Sequence, residues 1–336
     1  MSDNIPSATF THFLSKSRFI RGLQCHKALW LQTHHPELQD EVSPSQQAVF
    51  DAGTNVGILA QDLYPGGVEV PYNGMSYGDQ IAMTQTEIQK GTSTIYEATF
   101  NYDGVFCKVD ILHQGENGWE LHEVKSSTGC KDQYVNDIAI QYYIVTGSGL
   151  ELSYAGLVHI DNTYVRHGDI EVEKLFSKLD LTEKIKGMQE QITQTVASQR
   201  EMLRGDEPCI EIGPHCETPY SCPFTGHCWK ECPENSVFDL RNVRSHKKWT
   251  LYREGVKSML DVPDEYLGWR QKLQVRGLRE EFFHVDKPVI KEFLDGLHYP
   301  LCFMDFETAF LIPVPLWDGT GPYKQIPFQF SLHIID

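Results

Sequence analysis

Residues 105–112 and 119–124 are short apolar runs rich in β-branched and aromatic side chains, separated by Gly115, Asn117 and Gly118. That pattern predicts a β-hairpin. Strict alternation in the second run puts Glu123 and Lys125 on one face, and closing the hairpin near Asn117 brings Asp110 beside them. After a turn-rich Ser-Ser-Thr-Gly, residues 132–145 repeat at helical spacing, with Ile138, Tyr142 and Val145 on one stripe and Gln141 within the helix. A further strand is expected over 153–160. Upstream, Ser15 is placed to cap a helix over 16–33, with Cys25 inside it, and a second helix over 45–63 ends at Pro65-Gly66-Gly67. A third helix over 79–90 leads to an alternating strand, Thr94–Tyr102, whose Glu97 faces either the hairpin acids or solvent.

Downstream, 171–203 reads as one long helix or a broken pair, 236–240 as a turn or linker, and 244–260 as an amphipathic helix. Helical stretches over 268–279 and 287–297 precede a strand, LCFMDFETAF, with Asp305 and Glu307 two apart on one face. PFQFSLHIID supplies a second strand. Neither an internal repeat nor a low-complexity segment is visible.

Two carboxylates and an ammonium at strand ends suit a hard cation, which prefers oxygen ligands. Asp110, Glu123 and the Val124 carbonyl are the candidate ligands for Mg²⁺ or Mn²⁺, with Lys125 placed to orient a water and offset transition-state charge. The alternative is a surface hairpin with an ordinary Glu–Lys face.

A chain of 336 residues suggests about two domains, and 40% hydrophobic with 22% charged residues is ordinary for a soluble globular protein. No run approaches a membrane span and MSDNIPSATF lacks signal-peptide character, so a cytoplasmic protein without membrane partners is expected. The net charge of −17 argues against diffuse nucleic-acid binding but leaves room for a local groove. Basic clusters at 16–27, 241–248 and 270–279 are equally readable as solvated helix faces.

Nine cysteines in such a chain suggest metal or redox chemistry before disulfides. Cys107, Cys130 and Cys302 are scattered and read as inert thiols. Cys216, Cys222 and Cys228 form C-x5-C-x5-C within IGPHCETPYSCPFTGHCWKEC, flanked by Cys209 and Cys232. Loop-borne thiolates between Pro and Gly suit a soft metal. Cys232 or Cys209 would close a local zinc site, and Cys25 is the distant alternative.

The order of a strand with Asp110, a strand with Glu123-Val124-Lys125, a helix with Gln141 and another strand resembles the PD-(D/E)XK nuclease superfamily, closest to its RecB-like branch, which includes the CRISPR adaptation nucleases. The resemblance implies an α/β fold with a restriction-endonuclease-like core and a helical N-terminal region. It also implies catalytic roles for Asp110, Glu123, Lys125 and Gln141. The chain departs from the pattern at Val145, where a Tyr is expected, and at Gly57, in the segment where a metal-binding His would lie. FIRGLQCHKALWL and CETPYSCPFTGHC resemble the two halves that hold a [4Fe–4S] cluster in that branch, implying Cys25, Cys216, Cys222 and Cys228 as its ligands. The longer first gap leaves zinc as an alternative. FMDFET resembles the first motif of DEDD exonucleases, an RNase H-like fold using two metals. Its later motifs are missing, so a truncated fragment is expected, completed by a missing segment or a protein partner. The alternative is a strand end with solvent-facing acids.

Together these words resemble a bacterial family joining a RecB-like nuclease, a cysteine cluster and a DEDD-type C-terminus. The expected organisation is a nuclease domain over 1–235, a helical linker region over 236–297 and a partial exonuclease-like fragment over 298–336. The expected activity is metal-dependent hydrolysis of DNA phosphodiesters, on single strands or duplex ends, in DNA processing or anti-phage defence. Two alternatives remain: an inactive DNA- or partner-binding pseudonuclease, and a zinc-binding interaction protein.

Overall fold

The computed structural model describes residues 14–309 and 312–336. Two compact units account for them. The first holds residues up to Glu37, Glu41–Ile210 and Ala309–Ile326; the second holds Leu38–Asp40, Glu211–Thr308 and Pro327–Asp336.

A mixed seven-stranded sheet organises the first unit. Its strands are β1 (Leu14–Ser15), β2 (Val68–Glu69), β3 (Thr94–Tyr102), β4 (Val105–Gly115), β5 (Gly118–Lys125), β6 (Leu152–Ile160) and β7 (Phe176–Asp180). They lie in the order β2-β3-β4-β5-β6-β7, with β1 also pairing to β4. β3, β4 and β5 form an antiparallel meander, and β6 joins β5 in parallel. The hairpin expected between β4 and β5 is present, turning at Gly118 with a φ of 130°, a conformation that favours glycine.

Helices cover both faces. α1 (Lys16–Gln24), α2 (His26–His34), α4 (Tyr77–Lys90), α5 (Asp132–Gly147), α7 (Thr182–Gly187) and α8 (Gln189–Arg204) share one large core with the sheet, and α3 (Pro44–Ala60) packs a smaller one on the other face. Ser15, Ser43 and Ser76 cap α1, α3 and α4, each accepting a backbone N–H of the first turn.

The expected alternation slips at one place. Val105, Cys107 and Val109 of β4 face the larger core, yet so does Leu112, while Ile111 faces the smaller one. β3 slips in step: Ile95 faces the larger core, and then Ala98 and Phe100 do. The register pairs Tyr96 with Ile111 and Ala98 with Val109, which leaves Glu97 opposite Asp110 in the irregular step. Glu97 takes the left-handed region, with φ of 54°.

Three sequence expectations are corrected. The helix over 16–33 is two helices, because Cys25 is extended (φ −161°, ψ 118°) rather than helical. This corner lets Phe19 of α1 and Leu29 of α2 reach the same core. At Gly22 an added Cβ would lie 2.5 Å from the Gln199 side chain, so a larger residue there would have to push that side chain aside. The stretch 171–203 starts with a short turn of helix, α6 (Val172–Leu175), and then β7. β7 covers the edge of β6 that would otherwise be unpaired, with Phe176 opposite Ile160. The helix over 244–260 stops earlier, as described next.

The second unit packs its own core around Val237, Leu240, Leu251, Met259 and Val275. Its helices are α9 (Thr225–Cys228), α10 (Ser245–Arg253), α11 (Trp269–Glu280) and α12 (Lys287–Asp295). α10 ends before Gly255, whose φ of 90° breaks the helix. The 236–240 turn buries Ser236, Val237 and Leu240 and is closed by a capping box between Ser236 and Asp239. β8 (Leu301–Ala309) and β9 (Ile326–Ile335) make a separate two-stranded sheet whose Phe303, Phe328 and Phe330 are exposed. Among the described residues no helix is long and apolar enough to cross a membrane.

Candidate active site

Glu123 occupies the centre of a polar cluster at the end of β5. Alternation turns Glu123 and Lys125 toward α5, while His122 and Val124 face the other way. Lys125 Nζ lies 2.7 Å from Glu123 Oε1 and 2.9 Å from Asp137 Oδ2. Gln141 Nε2 donates to Glu123 Oε2 at 2.7 Å, and also to the Asp137 carbonyl at 3.0 Å one turn earlier on α5. Asp110 enters from the slipped step of β4, where its Oδ2 accepts the Val124 N–H at 2.7 Å. Lys16 reaches in from the first turn of α1, with Nζ 3.0 and 3.1 Å from the two oxygens of Glu123.

The structure therefore brings Asp110, Glu123, Lys125 and Gln141 together. It also adds Lys16 and Asp137, which sequence reasoning did not single out. Asp137 carried a signal: it stands four residues before Gln141 and so shares its helix face. Lys16 carried only its membership of a basic helix. Glu97 is largely buried beside the cluster, and burial raises its carboxyl above the ordinary range.

Charge states follow from burial and neighbours. Burial first, then the Glu123 carboxylate, push Asp110 up to about 7. Burial also disfavours the Glu123 charge, but the Lys125 and Lys16 ammoniums outweigh it and hold that carboxyl low. Burial opposes the Lys125 charge as well, yet Glu123 and Asp137 raise Lys125 well above the ordinary lysine range. At neutral pH the cluster is thus an ionised glutamate between two ammoniums, next to an aspartate poised to lose its proton.

The residues fit a hard divalent ion. Mg²⁺ is satisfied by one or two carboxylates with water completing its shell, and the half-buried Asp110 and the buried Glu123 put two carboxylates at one place. Among the described residues Gln141 Oε1 is buried and without a hydrogen-bond partner, an oxygen donor still to be used. Among the described residues no group of three or more His, Cys, Asp and Glu stands together as a metal site, so the acidic donor set here is this pair. The Val124 main chain meets Asp110 through its N–H.

The positions that depart from the family pattern have definite places. Val145 is fully buried in the larger core, and the neighbouring Tyr143 donates to Asp103 at 3.2 Å while its ring meets Tyr102 edge-on. Gly57 lies on α3, and nothing comes within 4 Å of where its Cβ would be.

Cys107, Cys130, Cys209, Cys216, Cys232 and Cys302 are free thiols. In the first unit, Cys25 sits at the corner between α1 and α2. In the second, Cys216 and Cys222 are buried and the Cys222 N–H bonds the Cys216 carbonyl at 2.8 Å. Cys228 ends α9, whose N-terminal side is tied down by Asp40 accepting the Gly226 N–H. Cys107 is buried in the sheet, and burial pushes its thiol up to about 12. Asp305 and Glu307 are exposed on β8.

Comparison with known proteins adds one match. The profile of a domain of unknown function (DUF2779) matches residues 302–336, the segment containing β8, β9 and the loop between them. No curated protein matches the chain.

Proposed function

We propose that this protein is a metal-dependent nuclease that hydrolyses DNA phosphodiesters on a PD-(D/E)XK-type core. The observation that carries the reading is the convergence of Asp110, Glu123, Lys125 and Gln141 on one cluster where the middle of β4, the end of β5 and the body of α5 meet. Supporting it, β4 pairs with β5, β5 pairs with β6, and α5 packs on the face of that sheet.

Asp110 and Glu123 would hold Mg²⁺ or Mn²⁺, with the Val124 carbonyl and Gln141 Oε1 as further oxygen donors. The ion would supply Lewis acidity toward a phosphoryl oxygen and a lower pKa for water. Lys125, kept cationic by Glu123 and Asp137, orients the attacking water and stabilises charge building on the phosphoryl oxygens. Asp137 and Gln141 fix Lys125 and Glu123 from α5, so both groups are positioned before substrate arrives.

The buried Cys216 and Cys222 and the half-buried Cys228 support a soft-metal group in the second unit, an iron–sulfur cluster or zinc. Single strands or duplex ends are the proposed substrates, in DNA processing or anti-phage defence. The test is incubation of end-labelled single- and double-stranded DNA with Mg²⁺, Mn²⁺ or EDTA. Cleavage that requires the metal is expected; intact DNA under every condition overturns the reading.

A further inference from the structure

Beyond Lys125 the chain enters a loop, 126–131, that forms one wall of a cavity of about 660 Å³. The opposite wall comes from far along the chain: Pro322, Tyr323 and Lys324, in the loop joining β8 to β9. This loop belongs to the first unit. Arg166 fixes it, donating from Nη1 to the Pro315 and Leu316 carbonyls at 3.0 Å each, and its main chain bonds Thr320 and Gly319 at 3.0 and 2.7 Å. Tyr323 packs against the smaller core and hydrogen-bonds Ser126, the residue after Lys125. Its φ of 58° is left-handed, a strained choice for an aromatic residue that the surrounding contacts enforce.

Two features give this cavity a chemistry. No Asp or Glu lines it, although the chain carries 46 acidic against 29 basic residues, and both lining charges are lysines, Lys131 and Lys324. Neither lysine makes an ion pair among the described residues. It also connects to the candidate active site through one side chain. Tyr134 lines the cavity, and its ring lies 5.5 Å from Lys125 Nζ and 5.8 Å from Lys131 Nζ. A compact volume of this size is roughly 11 Å across, less than the roughly 18 Å of the two grooves of B-DNA together, so a single strand fits and a duplex does not.

We propose that this cavity is a phosphodiester subsite: it holds the backbone of a single nucleic-acid strand beside the bond to be cut, with Lys131 and Lys324 on its phosphates. The inference rests on the nuclease reading of the neighbouring cluster. The β8–β9 loop is then a wall of the substrate path of the first unit, whatever the sheet it joins does.

The experiment is a fluorescence-anisotropy titration of a labelled single-stranded oligonucleotide, with Ca²⁺ replacing Mg²⁺ to suppress cleavage. It compares wild type, the double variant Lys131→Ala/Lys324→Ala, and a control lacking two exposed lysines elsewhere, Lys174→Ala/Lys186→Ala. The cavity variant should bind about tenfold more weakly, and the slope of log affinity against log salt should fall by about 1.4, two contacts at about 0.7 each. The control should bind as wild type, and thermal melting of all three checks folding. Equal affinity and slope in wild type and cavity variant would overturn the proposal, as would absence of binding by wild type. Cleavage with unaltered binding by the cavity variant removes the subsite and leaves the nuclease. The expected binding pattern without any metal-dependent cleavage keeps the subsite and removes the nuclease.

Discussion

Lys16 Nζ makes a two-pronged contact with the Glu123 carboxylate, 3.0 and 3.1 Å to its two oxygens, on the carboxylate that Asp110 also faces. An ammonium in that position supplies the positive charge that two neighbouring carboxylates demand, so it competes with any added cation. Lys16→Met should tighten Mn²⁺ binding about tenfold, read by calorimetry or by the loss of free Mn²⁺ signal in electron paramagnetic resonance. The same variant should melt lower in EDTA, because Glu123 loses a partner while staying buried. Weaker Mn²⁺ binding would instead make Lys16 a support of the metal site.

Lys125 differs from Lys16 in being braced from two sides, by Glu123 and Asp137. Lys125→Ala should lower DNA cleavage by roughly 10²-fold or more, the scale of losing one charge-stabilising donor, while oligonucleotide affinity changes only a few-fold. Cleavage within threefold of wild type would move the chemistry away from this hairpin.

Asp110 gives the metal-free protein a pH dependence of defined sign. Its carboxyl titrates near 7 in the folded chain and near 3.8 when unfolded. Between those values the native state binds the extra proton, so stability falls as pH rises from about 4 through 7. Asp110→Asn should remove this loss: in EDTA at pH 8 it should be more stable than wild type by on the order of 2 kcal/mol, with the gap closing toward pH 4. Parallel melting curves of the two proteins across that range would show that Asp110 ionises freely.

The cysteines separate by environment. Protein purified without oxygen should carry iron, with brown absorption, and Cys216→Ser should lose it. Cys107→Ser should keep it, since that thiol is sealed in the sheet core and held protonated. Zinc in place of iron by elemental analysis would select the local zinc reading; metal content equal in both variants would remove Cys216 from the ligand set.

Much of the first unit was legible because its signals are local. The β4–β5 hairpin, α5 and β6 follow from apolar period and turn residues, and the Glu123–Lys125 face follows from alternation alone. What alternation could not show was the slip at Glu97 and Asp110, which depends on two strands shifting together. FIRGLQCHKALWL reads as one helix through Cys25 because its weakest helix former, Gly22, lies within α1 and no proline interrupts it; packing of α1 and α2 into one core decides the corner. β7 was missed because an edge strand of five residues is fixed by its pairing to β6, not by its own pattern. Lys16 was invisible for the same reason at longer range, standing 107 residues from Glu123.

Arg166 and the carbonyls it grips are 149 and 150 residues apart, so the wall of the first unit is supplied late. During synthesis the sheet and its helices can assemble once β7 and α8 have left the ribosome, but residues 309–326 are still to come. Until they emerge, Tyr164 and the smaller core lack Val314 and Tyr323, and the ground beside Lys125 stays open on one side. A nascent chain is therefore a nearly folded sheet with an unfinished flank, which the far segment closes.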